Sequence, residues 1–334
     1  MLRLHLEPRW GLSYFCTFEI NKASNLPRMK SENLKGYLFA LIATIAFSNI
    51  YIFSKAALNE VHLAQFGLYW FGIAAFLNTL WLFYRKHNRY VRALSKRQIR
   101  TLFTLGVLEI LTTSFFFLSI QIIPDPAVTS FMGNLYPVLL TGMGIIFLKE
   151  RFSTMEAFGA LLALIGAFIV SYKGGTTFSE FFIPGAGIVL LNCIFAAIAS
   201  IVVKMNVRNM SPELINTNRS VWLFLFSLLM FIFYRQSFEI PIRAFANIAV
   251  GATLGPFIAL LLIYYSFHYI EVSKSSIVQS TKVVFVLVGS IIYFGTFPLL
   301  HQLVGGLLTL FGVILISAAK LPYFNRKEKA SQSS

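Results

Sequence analysis

Apolar residues along this chain gather into long runs separated by short polar breaks, and the pattern of breaks is written twice. Runs of about 20 apolar residues with few charges predict membrane-spanning helices. Ten are predicted, at 36–57, 66–84, 101–121, 126–147, 155–172, 185–204, 213–234, 246–268, 273–294 and 299–319. Residues 126–171 hold an apolar run, the break Leu148-Lys149-Glu150-Arg151-Phe152, and a second run carrying Gly159 and Gly166. A shift of 146 lays them on 272–317, where the break reads Phe294-Gly295-Thr296-Phe297-Pro298 and the glycines are Gly305 and Gly312. A shift of 149 lays Gly36–Lys55 on Gly185–Lys204. The expected fold class is an all-α polytopic membrane protein: ten transmembrane helices as two five-helix repeats. The repeats are 36–172 and 185–319, joined by a linker at 173–184 and flanked by tails at 1–35 and 320–334.

Charge sets the orientation. Only 12% of the 334 residues are charged, about half the share usual in a soluble domain, and mean hydropathy is +0.72. The 35 phenylalanines fit lipid-facing surface better than a soluble core. The net charge of +15 would suggest nucleic acid in a soluble protein. Here, with the N-terminus inside, the inner segments carry 21 of the 28 Lys and Arg: six in the N-tail, seven in 85–100, two in 148–154, two in 204–213 and four in the C-tail. The outer segments carry three, Lys173, Arg235 and Arg243. That asymmetry places both termini in the cytoplasm and makes a nucleic-acid partner unnecessary. An odd number of spans per half then inverts the second copy, so the charged turn around Lys149 faces in and its uncharged counterpart faces out. Residues 1–28 lack an apolar run followed by a cleavage site, so no signal peptide is expected. Met29 opens a stretch resembling a cytoplasmic start, which makes 1–28 a candidate upstream extension. Cys16 and Cys193 form no CxxC or Cys/His cluster, so neither a disulfide framework nor a metal site is expected.

The first-half residues Ala127-Val128-Thr129-Ser130, Tyr136-Pro137-Val138, Leu148-Lys149-Glu150-Arg151-Phe152-Ser153, Gly159 and Gly166 resemble the EamA repeat of the drug/metabolite transporter superfamily. Ser54-Lys55-Ala56-Ala57 at the end of span one is similar too. The resemblance covers about 36–318. Lys149 departs from the family's usual glycine, and the second copy has Val283 for the proline and Thr296 for the glutamate. What the resemblance implies is a metabolite or drug permease, often an exporter, needing no cofactor; the chain has no Walker A sequence. It also implies a bacterial inner membrane.

Ionisable residues inside spans are costly and therefore candidates for function. Glu109 lies in span three, Arg219 in span seven and Lys282 in span nine. At 1.5 Å per residue, Glu109 and Lys282 sit roughly 12 Å from the cytoplasmic end and Arg219 roughly 9 Å. Lys282 and Arg219 would attract a carboxylate or phosphate, and Glu109 would hold an ammonium group or carry a proton. The plainer alternatives are a Glu109–Lys282 ion pair and snorkelling of Arg219 to the interface. The shift of 146 pairs Tyr136 with Lys282, Asn134 with Ser280 and Ser130 with Ser276, and Gln279 makes the turn before Lys282 more polar still. The candidate substrate-binding set is Glu109, Asn134, Tyr136, Arg219, Gln279, Ser280 and Lys282; ordinary interhelical hydrogen bonding is the alternative for the neutral members. Pro137 and Gly255-Pro256 would each release a helical carbonyl. Lys55 and Lys204 read as snorkelling side chains or gating ion pairs. Trp70, Trp81 and Trp222 read as interfacial anchors or packing, and Glu150 with Arg151 as the cap of the following helix.

The expected function is a secondary transporter moving a small polar metabolite, amino acid-like or another organic solute, outward by alternating access. A sugar-phosphate or organic-anion exchanger is the runner-up. A polytopic enzyme would need a cluster of His, Asp, Glu or Cys near an interface, and the sequence offers none. A receptor is the third class. The expected partners are a small-molecule substrate and the lipid bilayer, with protons and a second copy of the chain as further candidates.

Overall fold

The computed structural model describes residues 26–85, 94–148, 154–172, 182–207, 209–270 and 272–319. The predicted cap by Glu150 and Arg151 and the two tails beyond these bounds lie outside the described residues, as do residues 173–181 of the linker. The described residues are helical almost throughout; an antiparallel bridge between Tyr172 and Phe182 is the one extended pairing among them.

In the first half the helices are α1 (Leu26–Leu58), α2 (Leu63–Tyr84), α3 (Lys96–Ile122), α4 (Pro126–Gly133), α5 (Leu135–Leu148) and α6 (Thr154–Ser171). In the second half they are α7 (Ala186–Asn206), α8 (Pro212–Phe233), α9 (Ile242–Ala252), a π-helical turn (Thr253–Ala259), α10 (Leu260–Tyr269), α11 (Val272–Ser280), α12 (Lys282–Phe294) and α13 (Leu300–Ala319). Local signals open them. His62 with Gln65 and Ser95 with Gln98 form reciprocal caps before α2 and α3, and Asp125-Pro126 and Ser211-Pro212 supply a capping side chain followed by proline at the first helical position. Gly295, at φ 66°, takes the left-handed conformation that ends α12.

Six segments are long and apolar enough to cross a membrane: Leu34–Leu58, Lys96–Ile122, Leu63–Tyr84, Ala186–Asn206, Pro212–Phe233 and Ile242–Tyr269. Ala157–Ser171, Val278–Phe294 and Leu300–Ile316 are shorter apolar helices. Two expected spans are interrupted, 126–147 at Asn134 and 273–294 at Thr281, so each reads as two short helices. Helix α1 starts ten residues before its apolar run, because Met29-Lys-Ser-Glu-Asn continues the helix without a breaker. The outward faces of α6 and α13 expose Phe158, Leu161, Leu164 and Phe168, and Leu300, Val304, Leu307 and Phe311. So continuous an apolar surface is stable against lipid and unstable against water.

The two copies meet head to tail. A Cβ on Gly159 would stand 2.6 Å from the Gly312 carbonyl oxygen, and one on Gly305 2.7 Å from that of Gly166. The two contacts, Gly159 on Gly312 and Gly305 on Gly166, are repeat images of each other, so α6 and α13 run antiparallel about a pseudo-two-fold axis. Ala163 and Thr309, 146 apart, sit on that axis, with the Thr309 hydroxyl 3.5 Å from the Ala163 carbonyl oxygen. Helices α2 and α8 are antiparallel as well: Gly67 lies against Ser227 at one end, and Thr217 donates to the Asn78 carbonyl oxygen towards the other.

The lysines closing the first helix of each half have a role the sequence reading did not assign. The Lys55 ammonium donates to the carbonyl oxygens of Ile120, Gln121 and Ile123 at 2.9–3.1 Å, and Lys204 to those of Phe267 and Ile270 at 3.1 and 3.2 Å. These carbonyls end α3 and α10, where a helix has unpaired acceptors and a negative dipole end. The two lysines are equivalent caps at opposite ends of the molecule. Replacing Lys55 by methionine keeps the stem and removes the cap; charged hydrogen bonds of this kind are worth about 1.5–3 kcal/mol. Thermal unfolding of purified Lys55→Met protein is expected to show a loss of that order, with Lys55→Arg intermediate. A melting curve superposable on the wild type would show that the cap does not matter.

Candidate functional site

Between the halves lies a cavity of about 160 Å³. Its charged lining is Glu109 from α3, Arg219 from α8 and Lys282 from the first turn of α12. Tyr136, Gln279, Asn192 and Ser200 add polar groups. The remaining wall is mostly apolar and rich in aromatic rings, including Phe47, Tyr51, Trp70, Phe116 and Phe117. Trp70 is 1% exposed and packs on Phe66 and Phe117, so of its two expected roles it takes packing.

Glu109 pairs with Arg219 and not with Lys282. Arg219 donates from Nε to Glu109 Oε2 at 2.7 Å and from Nη2 to Thr113 Oγ1 at 3.0 Å, and Tyr264 approaches Glu109 Oε1 at 3.5 Å. The Arg219 side chain is 11% exposed and turned inward, so it does not snorkel. Its Nη1 is buried with no hydrogen-bond partner. Lys282, 7% exposed, makes no hydrogen bond or ion pair with any described residue. An unbalanced cation therefore faces a cavity that already contains one neutralised pair.

Five of the seven expected residues line this cavity: Glu109, Tyr136, Arg219, Gln279 and Lys282. Tyr136 and Lys282, 146 apart, reach it from opposite halves, and the Tyr136 hydroxyl lies 2.8 Å from Ser200 Oγ. The other two stand behind it. Asn134 donates from Nδ2 to the Ser280 carbonyl oxygen at 3.3 Å, joining the repeat-related breaks of the two interrupted helices. The side chain of Ser276 lies outside the described residues.

Pro137 releases backbone where expected. Pro137 lacks the N–H that would bond the Gly133 carbonyl, and that oxygen instead faces Cys193 Sγ at 3.7 Å at the cavity wall. Around Pro256 the chain widens into the π-helical turn, and the Pro256 carbonyl oxygen accepts from Asn78 Nδ2 at 3.2 Å and Asn216 Nδ2 at 3.0 Å. Asn216 also donates to Asn78 Oδ1 at 2.7 Å, and Asn78 to Ser220 Oγ at 3.0 Å. Sequence reasoning missed this buried network, although an asparagine inside each of two repeat-related apolar runs was a usable signal. It also missed Asn192, which lines the cavity and donates to the Thr112 carbonyl oxygen at 2.8 Å.

Comparison with known proteins places this geometry. Residues 34–172 and 183–318 each match the EamA-like transporter family. No curated protein matches the chain significantly. One crystal structure, whose description names no activity, superposes with a TM-score of 0.61 over 84% of this chain and 95% of its own. At 16% identity it is a likeness of fold alone.

Proposed function

The chain belongs to the EamA-like transporter family of the drug/metabolite transporter superfamily and is an integral multi-pass membrane transporter, and from that premise we propose that it moves a small polar organic solute by alternating access about the central cavity. The ten helical spans cross the membrane, interrupted or not, with both termini in the cytoplasm, as the Lys and Arg distribution favours. The membrane is a bacterial inner membrane and the net direction outward. The observation carrying this reading is the place of the cavity: charged side chains from both halves converge where repeat-related residues face one another. Inverted-repeat transporters hold substrate at that position, beside interrupted helices. Rocking of one half against the other would expose Lys282 and the Glu109–Arg219 pair to each side in turn, driven by the solute's own gradient or by protons.

Reconstituted protein is expected to catalyse saturable counterflow of at least one solute in a panel of radiolabelled amino acids, organic acids and sugar phosphates. Flux that rises linearly with concentration for every one of them would end the transporter reading of this cavity. The organic-anion alternative is favoured by one observation, the unpaired Lys282 ammonium.

A further inference from the structure

Building on the transporter reading, we propose that the cavity selects a small organic anion of single charge, its carboxylate on Lys282 and its apolar body against the aromatic wall. Hydrogen-bonding groups already in use narrow what the cavity can hold. The charge of Glu109 is already neutralised by Arg219 at Oε2, with Tyr264 3.5 Å from Oε1, so the cavity offers a substrate ammonium no unpaired carboxylate among the described residues. Donors are in surplus: Lys282 has no partner among the described residues, Arg219 Nη1 is buried without one, and so is the hydroxyl of Thr112 at the cavity wall.

Charge gives the same answer. The described charged side chains lining the cavity are Glu109, Arg219 and Lys282, which leaves one net positive charge. Away from water an unmatched charge is expensive, and one anionic group cancels it. A cation would double the imbalance. A phosphate monoester, carrying about −1.5 to −2 at neutral pH, would overcompensate a single free ammonium. A zwitterion would neutralise Lys282 but leave its own ammonium only neutral acceptors such as Gln279 and Asn192 and the aromatic faces, the latter a contact worth about 0.5–2 kcal/mol. Size is the third constraint. A cavity of about 150 Å³ admits benzene, so 160 Å³ suits roughly one ring bearing a carboxylate. Phe47, Tyr51, Trp70, Phe71, Phe116 and Phe117 provide apolar surface for that body.

The test uses the full-length protein in detergent and follows its melting temperature against benzoate, benzenesulfonate, benzylamine, phenylglycine and phenyl phosphate. Benzoate and benzenesulfonate are expected to stabilise it saturably, at concentrations about tenfold lower than any of the other three, the difference one charge-assisted hydrogen bond makes. In Lys282→Gln the benzoate response should weaken by about tenfold or more, while Lys282→Arg retains the preference for anions. Equal or tighter binding of phenylglycine, benzylamine or phenyl phosphate overturns the proposal, as does the absence of any anion response in wild-type protein. The wild-type ranking alone decides if Lys282→Gln does not fold. Vesicle flux of benzenesulfonate, which does not cross bilayers unaided, separates the two readings. Binding without saturable flux sinks the transporter reading and spares the anion site. Saturable flux of phenylglycine in protein that ignores both anions sinks the anion site and spares the transporter.

Discussion

Gly159→Val is expected to yield little or no folded protein. A Cβ at this position would stand 2.6 Å from the Gly312 carbonyl oxygen and 2.8 Å from the Ile316 nitrogen. Those are backbone atoms of a helix, and no side-chain rotation relieves them. Overpacking typically costs about 1–3 kcal/mol when side chains can shift; here α6 and α13 must separate along their contact. Between lipid-facing helices close packing is a main source of association, because burial from water contributes little. The same clash arises from the other side, since a Cβ on Gly312 would lie 2.5 Å from the Gly159 carbonyl oxygen. Gly312→Ala should therefore fail in the same manner. Gly142→Ala and Gly187→Ala are the matched controls, because a Cβ there meets nothing within 4 Å. They should be neutral or stabilising by up to about 1 kcal/mol, as alanine is the better helix former. Yield of monodisperse protein and its melting temperature are the readouts. A Gly159→Val protein that melts with the wild type would show that these helices do not cross as described.

Those glycines were legible because a repeat constrains itself. The shift of 146 relates Gly159 to Gly305 and Gly166 to Gly312, and it maps the contact of Gly159 with Gly312 onto that of Gly305 with Gly166. Charge counting supplied the inversion, and the head-to-tail crossing of α6 and α13 agrees with it. Depth was legible too. Glu109, Arg219 and Lys282 stand at similar heights in their helices, and all three reach one cavity. Direction around the helix axis was not. Hydropathy in spans apolar on every side carries little azimuthal information, so nothing in the sequence told Glu109 whether Arg219 or Lys282 would be its partner. The break at Asn134 was hidden because one asparagine barely interrupts an apolar run, whereas the polar stretch Gln279-Ser280-Thr281-Lys282 was a usable sign of the second break. The lysine caps were missed because their acceptors are backbone carbonyls 63 or more residues away, which have no side-chain signature.

Removing the charge of Glu109 and removing that of Lys282 are expected to have opposite effects on stability. Glu109→Gln leaves Arg219 buried with an uncompensated charge and with Nη1 still unpartnered. Breaking one side of such a pair typically costs about 3–5 kcal/mol. Arg219→Gln should cost a similar amount, by stranding the carboxylate and freeing Thr113. The double variant restores neutrality, so it should lose much less than the sum of the two, and the difference is the coupling between them. Additive losses would show that the two side chains do not pair. Lys282 reverses the sign. Its ammonium has no partner among the described residues, and an ionised group at this depth costs roughly 2.5–3.5 kcal/mol on insertion scales. Lys282→Met should therefore raise the melting temperature of the ligand-free protein while abolishing anion binding. A side chain that lowers stability when the site is empty and is needed when it is full is what a binding residue looks like energetically. The same variants bear on proton coupling. If Glu109 carries a proton through the cycle, Glu109→Gln should lose accumulation driven by a pH gradient and keep counterflow. Uphill transport unchanged in that variant would assign Glu109 to holding Arg219 in place, and would leave Lys282 as the charge the substrate meets.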